Sequence, residues 1–254
     1  MNMTKVLLVS ICMAMTLFAH AEKETPFMFS IWPSRYTQFP GDDSHKKIYG
    51  YDCSVCGFRL APGCGFAKNV YGFDFGCLMG SGTMNGLQVG VLGAFGDSAN
   101  GVQIGSMLMT LEGEVNGAQI GYLSIAGNGA GVDGFQFGVG AIADCVSGVQ
   151  IGGEMALAIA GDVNGVQLGG LVAGVNKGTL RGVQLSGVYS GATALNGLQI
   201  GSINYVGNDF CGVQLGVVNI SLDENEDSNK LQIGLINYMK SAAVKCLPIV
   251  NMSF

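Results

Sequence analysis

Ten times between residues 86 and 234 the chain writes one phrase: glycine, an apolar residue, glutamine, an apolar residue, glycine. NGVQLG at 164–169 is typical, and the glutamines are Gln88, Gln103, Gln119, Gln136, Gln150, Gln167, Gln184, Gln199, Gln214 and Gln232. Their spacings run from 14 to 18 residues and average 16. Both flanking residues are apolar in all ten copies. Glycine lies two before the glutamine in nine, with Lys230 the exception, and two after it in nine, with Ser186 the exception. Self-similarity at a short fixed period marks a repeat architecture, in which units stack because none can bury its own surface alone. Degenerate copies put aspartate in the glutamine place, at Asp74 in YGFDFG and Asp52 in IYGYDC. The chain thereby divides into residues 1–21, an N-terminal aromatic and cysteine-bearing cap over 22–69, the array over 70–238, and a C-terminal capping strand over 239–254.

Side-chain parity predicts the shape of one unit. The residues on either side of the glutamine share one face of a strand. After the trailing glycine the apolar positions become the fourth and sixth rather than the third and fifth. Leu171, Val188, Ile203 and Ile236 hold the fourth place, whereas Asn204, Asn219 and Asn237 hold the fifth. A parity change at glycine signals a bend or corner. The expectation is an all-β solenoid with coils of about 16 residues: a short strand, a glycine corner, a second short strand and a polar turn. Each coil would bury its apolar residues against its neighbours. The glutamines would align as a ladder of amides, and, fenced by glycines, would offer a flat strip to a ligand. The alternative is a closed antiparallel barrel of outer-membrane type, suggested by the closing PIVNMSF, where Val250, Met252 and Phe254 alternate.

Glycine numbers 42, but with 5 prolines and no triplet period the chain is not collagen-like, and a hydrophobic fraction of 48% is too high for a disordered linker. Residues 75–229 contain twelve acids and two bases, Lys177 and Arg181. An acidic array lacks the basic footprint of a nucleic-acid binder, so no nucleic-acid partner is expected. Asp97, Glu114, Asp144, Asp162, Asp209 and Asp227 fall five or six residues before a glutamine and would line one acidic edge of a solenoid. Turn chemistry alone accounts for acids there, with calcium bridging as the functional alternative. The loop SLDENEDSNK, with Asp223, Glu224, Glu226 and Asp227, reads as a solvated bulge.

Residues 1–21 have the form of an export signal: Lys5, the apolar run VLLVSICMAMTLF, and Ala19-His20-Ala21 before a mature start at Glu22. Seven cysteines follow it, Cys53, Cys56, Cys64, Cys77, Cys145, Cys211 and Cys246, for which disulfides or buried thiols are expected before metal. Catalytic constellations are sparse. His45 is the one histidine of the mature chain, the repeat is not followed by the GK[ST] of a phosphate loop, and Glu154 interrupts the apolar positions without an evident partner. Trp32, Phe27, Phe29, Tyr36 and Phe39 are expected to cover the first coil. No cofactor and no enzymatic activity are expected.

With SIWPSRYTQFPG, the aspartate units, the ten glutamine units and LPIVNMSF laid out, the chain resembles the bacterial surface-repeat proteins built from GxQxG units, often described as surface-repeat lipoproteins. The resemblance covers most of the mature chain and implies an exported cell-envelope protein, in the outer membrane, at the surface or in the periplasm. It implies a structural or interaction role toward an unknown surface ligand or envelope component. The runner-up is an integral outer-membrane barrel with a passive transport or structural role. Cys12 follows Val-Ser-Ile, a poor context for lipid attachment, so the chain departs from the lipoproteins in its anchor.

Overall fold

The computed structural model describes residues 24–29, 54–225 and 228–253. Eleven strands form one sheet: β1 (Glu24–Phe29), β2 (Ser54–Thr110), β3 (Val115–Ala158), β4 (Val163–Gly169), β5 (Val172–Ser186), β6 (Tyr189–Ile200), β7 (Ile203–Val206), β8 (Phe210–Leu215), β9 (Val218–Ser221), β10 (Lys230–Met239) and β11 (Cys246–Ser253). The two longest, β2 and β3, each wind through several coils.

Successive repeats pair in parallel and in register. Gln103 pairs with Gln119, Gln150 with Gln167, Gln167 with Gln184, Gln184 with Gln199, Gln199 with Gln214, and Gln214 with Gln232. The fold is therefore a β-solenoid. The antiparallel barrel is overturned, because neighbouring repeats run in the same direction. Among the described strands only β11 runs antiparallel to its neighbour, setting Met252 against Leu231 and Val250 against Ile233. The alternating ending that suggested a barrel instead covers the open edge of the last coil, where unpaired backbone groups would otherwise invite further strands.

The turn inward at the trailing glycine is sharp. A Cβ on Gly169 would lie 1.9 Å from the carbonyl oxygen of Val172, and one on Gly152 equally close to that of Met155. The leading glycine is needed for a different reason. From Gly57 to Gly212, the glycine two before each column residue has φ between +127° and +151°, a region closed to L side chains. Its missing Cβ would stand 2.0 to 2.3 Å from a carbonyl oxygen of the preceding coil.

One expectation about the interior is reversed. The glutamines point inward and are fully buried, while the apolar residues beside them face outward. The hydrophobic core lies elsewhere in the coil. It is built from the position four before the glutamine, buried at Met84, Ala99, Val115, Val132, Val146, Val163, Leu180, Leu195 and Phe210. Facing residues of the second strand, among them Ala126, Ala143, Val175, Ala192, Val206 and Met239, complete it. The coils thus have an amide-filled side near the glycine corner and an apolar half near the turn, with a second apolar cluster of Ala61, Met79, Ala94 and Leu108 beside the corner in the N-terminal coils.

The coil stack also reaches further toward the N-terminus than the sequence boundary at residue 70. Arg59 occupies the column position before Asp74, and Met28 of β1 pairs with Arg59. The segment 54–69, assigned to the cap, is therefore coil. Arginine in the glutamine place hid it. Asp52 lies outside the described residues, as do Trp32, Tyr36, Phe39 and residues 1–21, which the sequence reads as an export signal. Of the expected capping aromatics, Phe27 stacks on Phe58 with centroids 5.8 Å apart.

Candidate functional site

Each glutamine amide donates to the glutamine of the preceding coil. Gln103 Nε2 donates to Gln88 Oε1 at 2.8 Å, Gln167 to Gln150 at 2.8 Å, Gln184 to Gln167 at 2.7 Å, and Gln232 to Gln214 at 2.7 Å. The line is unbroken from Gln232 to Gln88, so every donor points toward the N-terminus. In six coils the same amide also donates to a carbonyl six or seven residues onward, as from Gln167 to Gly174 O at 3.1 Å and from Gln184 to Gly191 O at 3.2 Å. These bonds tie one wall of the coil to the other. A shorter line of Asn204, Asn219 and Asn237 runs beside it with its donors directed the opposite way, each at 2.7 Å.

The ladder is therefore real, but it is not a binding strip. Gln88, Gln103, Gln119, Gln136, Gln150, Gln167, Gln184, Gln199, Gln214 and Gln232 are all sealed inside, and what approaches their flanking glycines is the backbone of the preceding coil or of the corner itself. Such a line of amides can be buried because each interior rung finds donor and acceptor in its neighbours, while the oxygen of the last rung, Gln232 Oε1, has no hydrogen-bond partner.

Both ends of the stack carry buried ion pairs. At the N-terminal end Arg59 Nε donates to Asp74 Oδ1 at 2.7 Å, and its Nη1 to Gly80 O at 3.2 Å. At the C-terminal end Lys230, which replaces the leading glycine, places Nζ 2.8 Å from Asp223 Oδ2 and 2.9 Å from Ser241 Oγ. Burial alone would raise the Asp223 pKa. The Lys230 ammonium and the N–H groups of Asn225 and Phe210 outweigh it and hold the carboxyl below the usual range.

The acidic edge is staggered and interrupted rather than a column in register: Asp97 and Asp144 present their carbonyls to Gly113 and Gly161, each one place before an acid of the next coil, whereas Asp162 is followed by Thr179, whose N–H donates to Asp162 Oδ1 at 2.8 Å. These acids join neighbouring coils: Asp144 accepts from Gly129 N, and Asp162 also pairs with Arg181. The Thr179 N–H and the Arg181 guanidinium together lower the Asp162 pKa. Glu114 and Asp209 are exposed, and Asp227 lies outside the described residues. Among the described residues no group of three or more His, Cys, Asp or Glu is placed to hold a metal ion.

Cys77, Cys145, Cys211 and Cys246 are free thiols, so the disulfides expected of an exported chain are not formed at these four. Burial first, and then the carboxylates of Glu114, Asp144 and Asp162, raise the Cys145 pKa and keep that thiol protonated.

Among the described residues, the third and fourth places after the glutamine carry some of the most exposed apolar side chains. Val91 is 68% exposed, Leu92 60%, Tyr122 69% and Leu235 69%. Leu171, Val188, Ile203 and Val217 continue the ridge along the glycine corner. Ile249 of β11 prolongs it, and is the one non-glycine with positive φ among the described residues, at 71°. That conformation is costly for a β-branched residue. Glu154 stands exposed on the same ridge, a solvated acid rather than a buried one. Sequence reasoning identified the fourth-place residues Leu92, Leu171, Val188 and Ile203 but placed them inside, and it did not assign the third place, held by Val91, Tyr122, Val217 and Leu235, to the apolar face. It missed the true core, although the column four before the glutamine is apolar in nine of ten copies and could have been found by the same alignment. No protein-family model, curated protein or solved structure matches the chain.

Proposed function

We propose that this chain is an exported cell-envelope protein whose solenoid acts as a structural or interaction surface, without catalysis. The observation that carries the reading is the apolar ridge. A folded monomer with a closed interior has no internal use for a line of aliphatic side chains running the length of its coils, and large exposed apolar patches mark contact surfaces. The charge, apolar run and small-residue site within residues 1–21 support export. The ladder supports the structural side of the role, since it makes the coil stack one hydrogen-bonded rod onto which the ridge is fixed.

The test is to express the full chain in a Gram-negative host and follow its processing and fractionation. The expected product begins at Glu22 and sediments with the envelope. Replacing Leu92, Leu171 and Val188 by serine is expected to release it from that fraction without changing its circular dichroism. Uncleaved chain retained in the cytosol refutes export, and a triple variant that stays bound as the wild type does refutes the ridge as contact surface.

A further inference from the structure

The solenoid's glycines fall into two kinds. Those of the GxQxG phrase are demanded by the backbone, since a Cβ on Gly165 would lie 2.1 Å from Gly148 O. Gly174 and Gly191 are different. Neither has positive φ, and the atoms nearest an added Cβ belong to side chains: Leu157 Cδ2 at 3.0 Å for Gly174, and the Tyr189 ring and hydroxyl from 2.7 Å for Gly191.

These two glycines are neighbours in one outward column, which reads Leu157, Gly174, Gly191, Tyr205, Ile220, Tyr238 through successive pairings. Every other member is a large side chain. At Gly174 the column leaves a notch one coil wide, about 5 Å along the axis, while the Tyr189 ring folds over the buried Gly191. The notch opens as a groove of roughly 630 Å³, within the range of small-ligand sites. Its floor is rigid, because the carbonyls of Gly174 and Gly191 are held from inside by Gln167 and Gln184.

The walls define the ligand class. Leu157 closes one end, and the rings of Tyr189 and Tyr205 stand at the other. Asn176, Thr193 and Asn208 form a polar rim, with Thr193 Oγ1 donating to Asn176 O at 2.6 Å. No lining residue is charged. Burial, and then the nearby Tyr205 phenol, push the Tyr189 pKa up, so its hydroxyl stays a neutral donor. A phosphate or carboxylate would find no cation here, and an acyl chain would leave the rim amides facing hydrocarbon. A sugar ring suits both parts, with an apolar C–H face for the aromatic rings and hydroxyls for the amides.

We propose that this groove binds a neutral saccharide, one ring seated against Tyr189 and Tyr205 with its hydroxyls at Asn176, Thr193 and Asn208. The site is distinct from the apolar ridge and does not depend on export.

The mature chain is to be probed on a printed array of neutral hexose and N-acetylhexosamine oligosaccharides, with bound glycans then titrated by calorimetry. At least one neutral glycan is expected to bind. Gly174→Leu, which fills the notch at an ordinary backbone conformation, and Tyr205→Ala are each expected to weaken it tenfold or more, whereas Leu92→Ser leaves it unchanged. Circular dichroism and melting report whether each variant folds. Should Gly174→Leu unfold, Asn176→Ala takes its place beside Tyr205→Ala. The proposal is overturned by an array with no neutral glycan above background, by glycan binding indifferent to the groove variants, or by capture of a laurate probe in place of any glycan.

Discussion

Gln88 Nε2 donates to Asp74 Oδ2 at 2.8 Å, while Arg59 grips the same carboxylate from the opposite side. That contact explains how the ladder stops. A line of amides all donating one way must end on a group that only accepts, and an ionised carboxylate is such a group. Its charge, fully buried, then requires a cation, and Arg59 supplies one together with donors for Gly80 O. Removing one partner of such a pair strands the other. Asp74→Asn is expected to cost about 3–5 kcal/mol in urea unfolding. Combining Arg59→Gln with Asp74→Gln, which extends the amide line, should recover most of that loss. A double variant no more stable than Asp74→Asn alone would show that the pair does not terminate the ladder.

Within the ladder, Gln167→Leu takes a donor from Gln150 Oε1 and an acceptor from Gln184 Nε2, and frees Gly174 O. Leaving buried groups unsatisfied costs about 1–3 kcal/mol each. A loss of at least about 2 kcal/mol is therefore expected, with hydrogen exchange fastest in the coils flanking residue 167. Val188→Ser, on the exposed ridge, should change stability by less than about 0.5 kcal/mol. Equal effects of the two substitutions would mean that the amides hold no register.

The two kinds of glycine make a sharper comparison. Gly165→Ala must place a Cβ against a carbonyl at φ +137°. Strain of this kind, with the steric overlap added, is expected to exceed about 3 kcal/mol. Gly174→Ala meets only the movable end of Leu157 and should be tolerated within about 1 kcal/mol. Thermal melts of the two variants decide it, and a Gly174→Ala as damaging as Gly165→Ala would remove the distinction.

Acid should loosen the C-terminal end first. The Asp223 carboxyl is held below its ordinary value in the fold, so its contribution is complete above the unfolded pKa of about 3.9 and is lost as pH falls through the lower folded value. Asp162, lowered by Thr179 N–H and Arg181, acts in the same direction. Asp223→Asn is expected to lower stability at pH 7, by stranding Lys230, and to flatten the fall in melting temperature below pH 4. An acid limb identical to that of the wild type would show that Asp223 does not drive it.

The sequence by itself determined the repeat, its register and its corner. Period came from the glutamines. The parity change located the bend at glycines such as Gly169, because in an extended strand only a change of direction lets alternation lapse and resume one place later. Columns of like residues then follow from parallel stacking, and the end of the array at β10 follows from the end of the pattern.

The tertiary structure alone decided which side of the strand is inside. Reading Val166 and Leu168 as core follows from the rule that apolar groups leave water, and that rule presumes Gln167 has no polar partner within. Stacking supplies one: Gln184 donates to its oxygen, Gln150 accepts from its nitrogen, and Gly174 O takes a further hydrogen. No single repeat can satisfy an amide in this way, so no single repeat reveals it. The same holds for Arg59, which is a cap only because Asp74 lies one coil away, and for the groove beside Tyr189, which exists only because Gly174 and Gly191, seventeen residues apart, become neighbours.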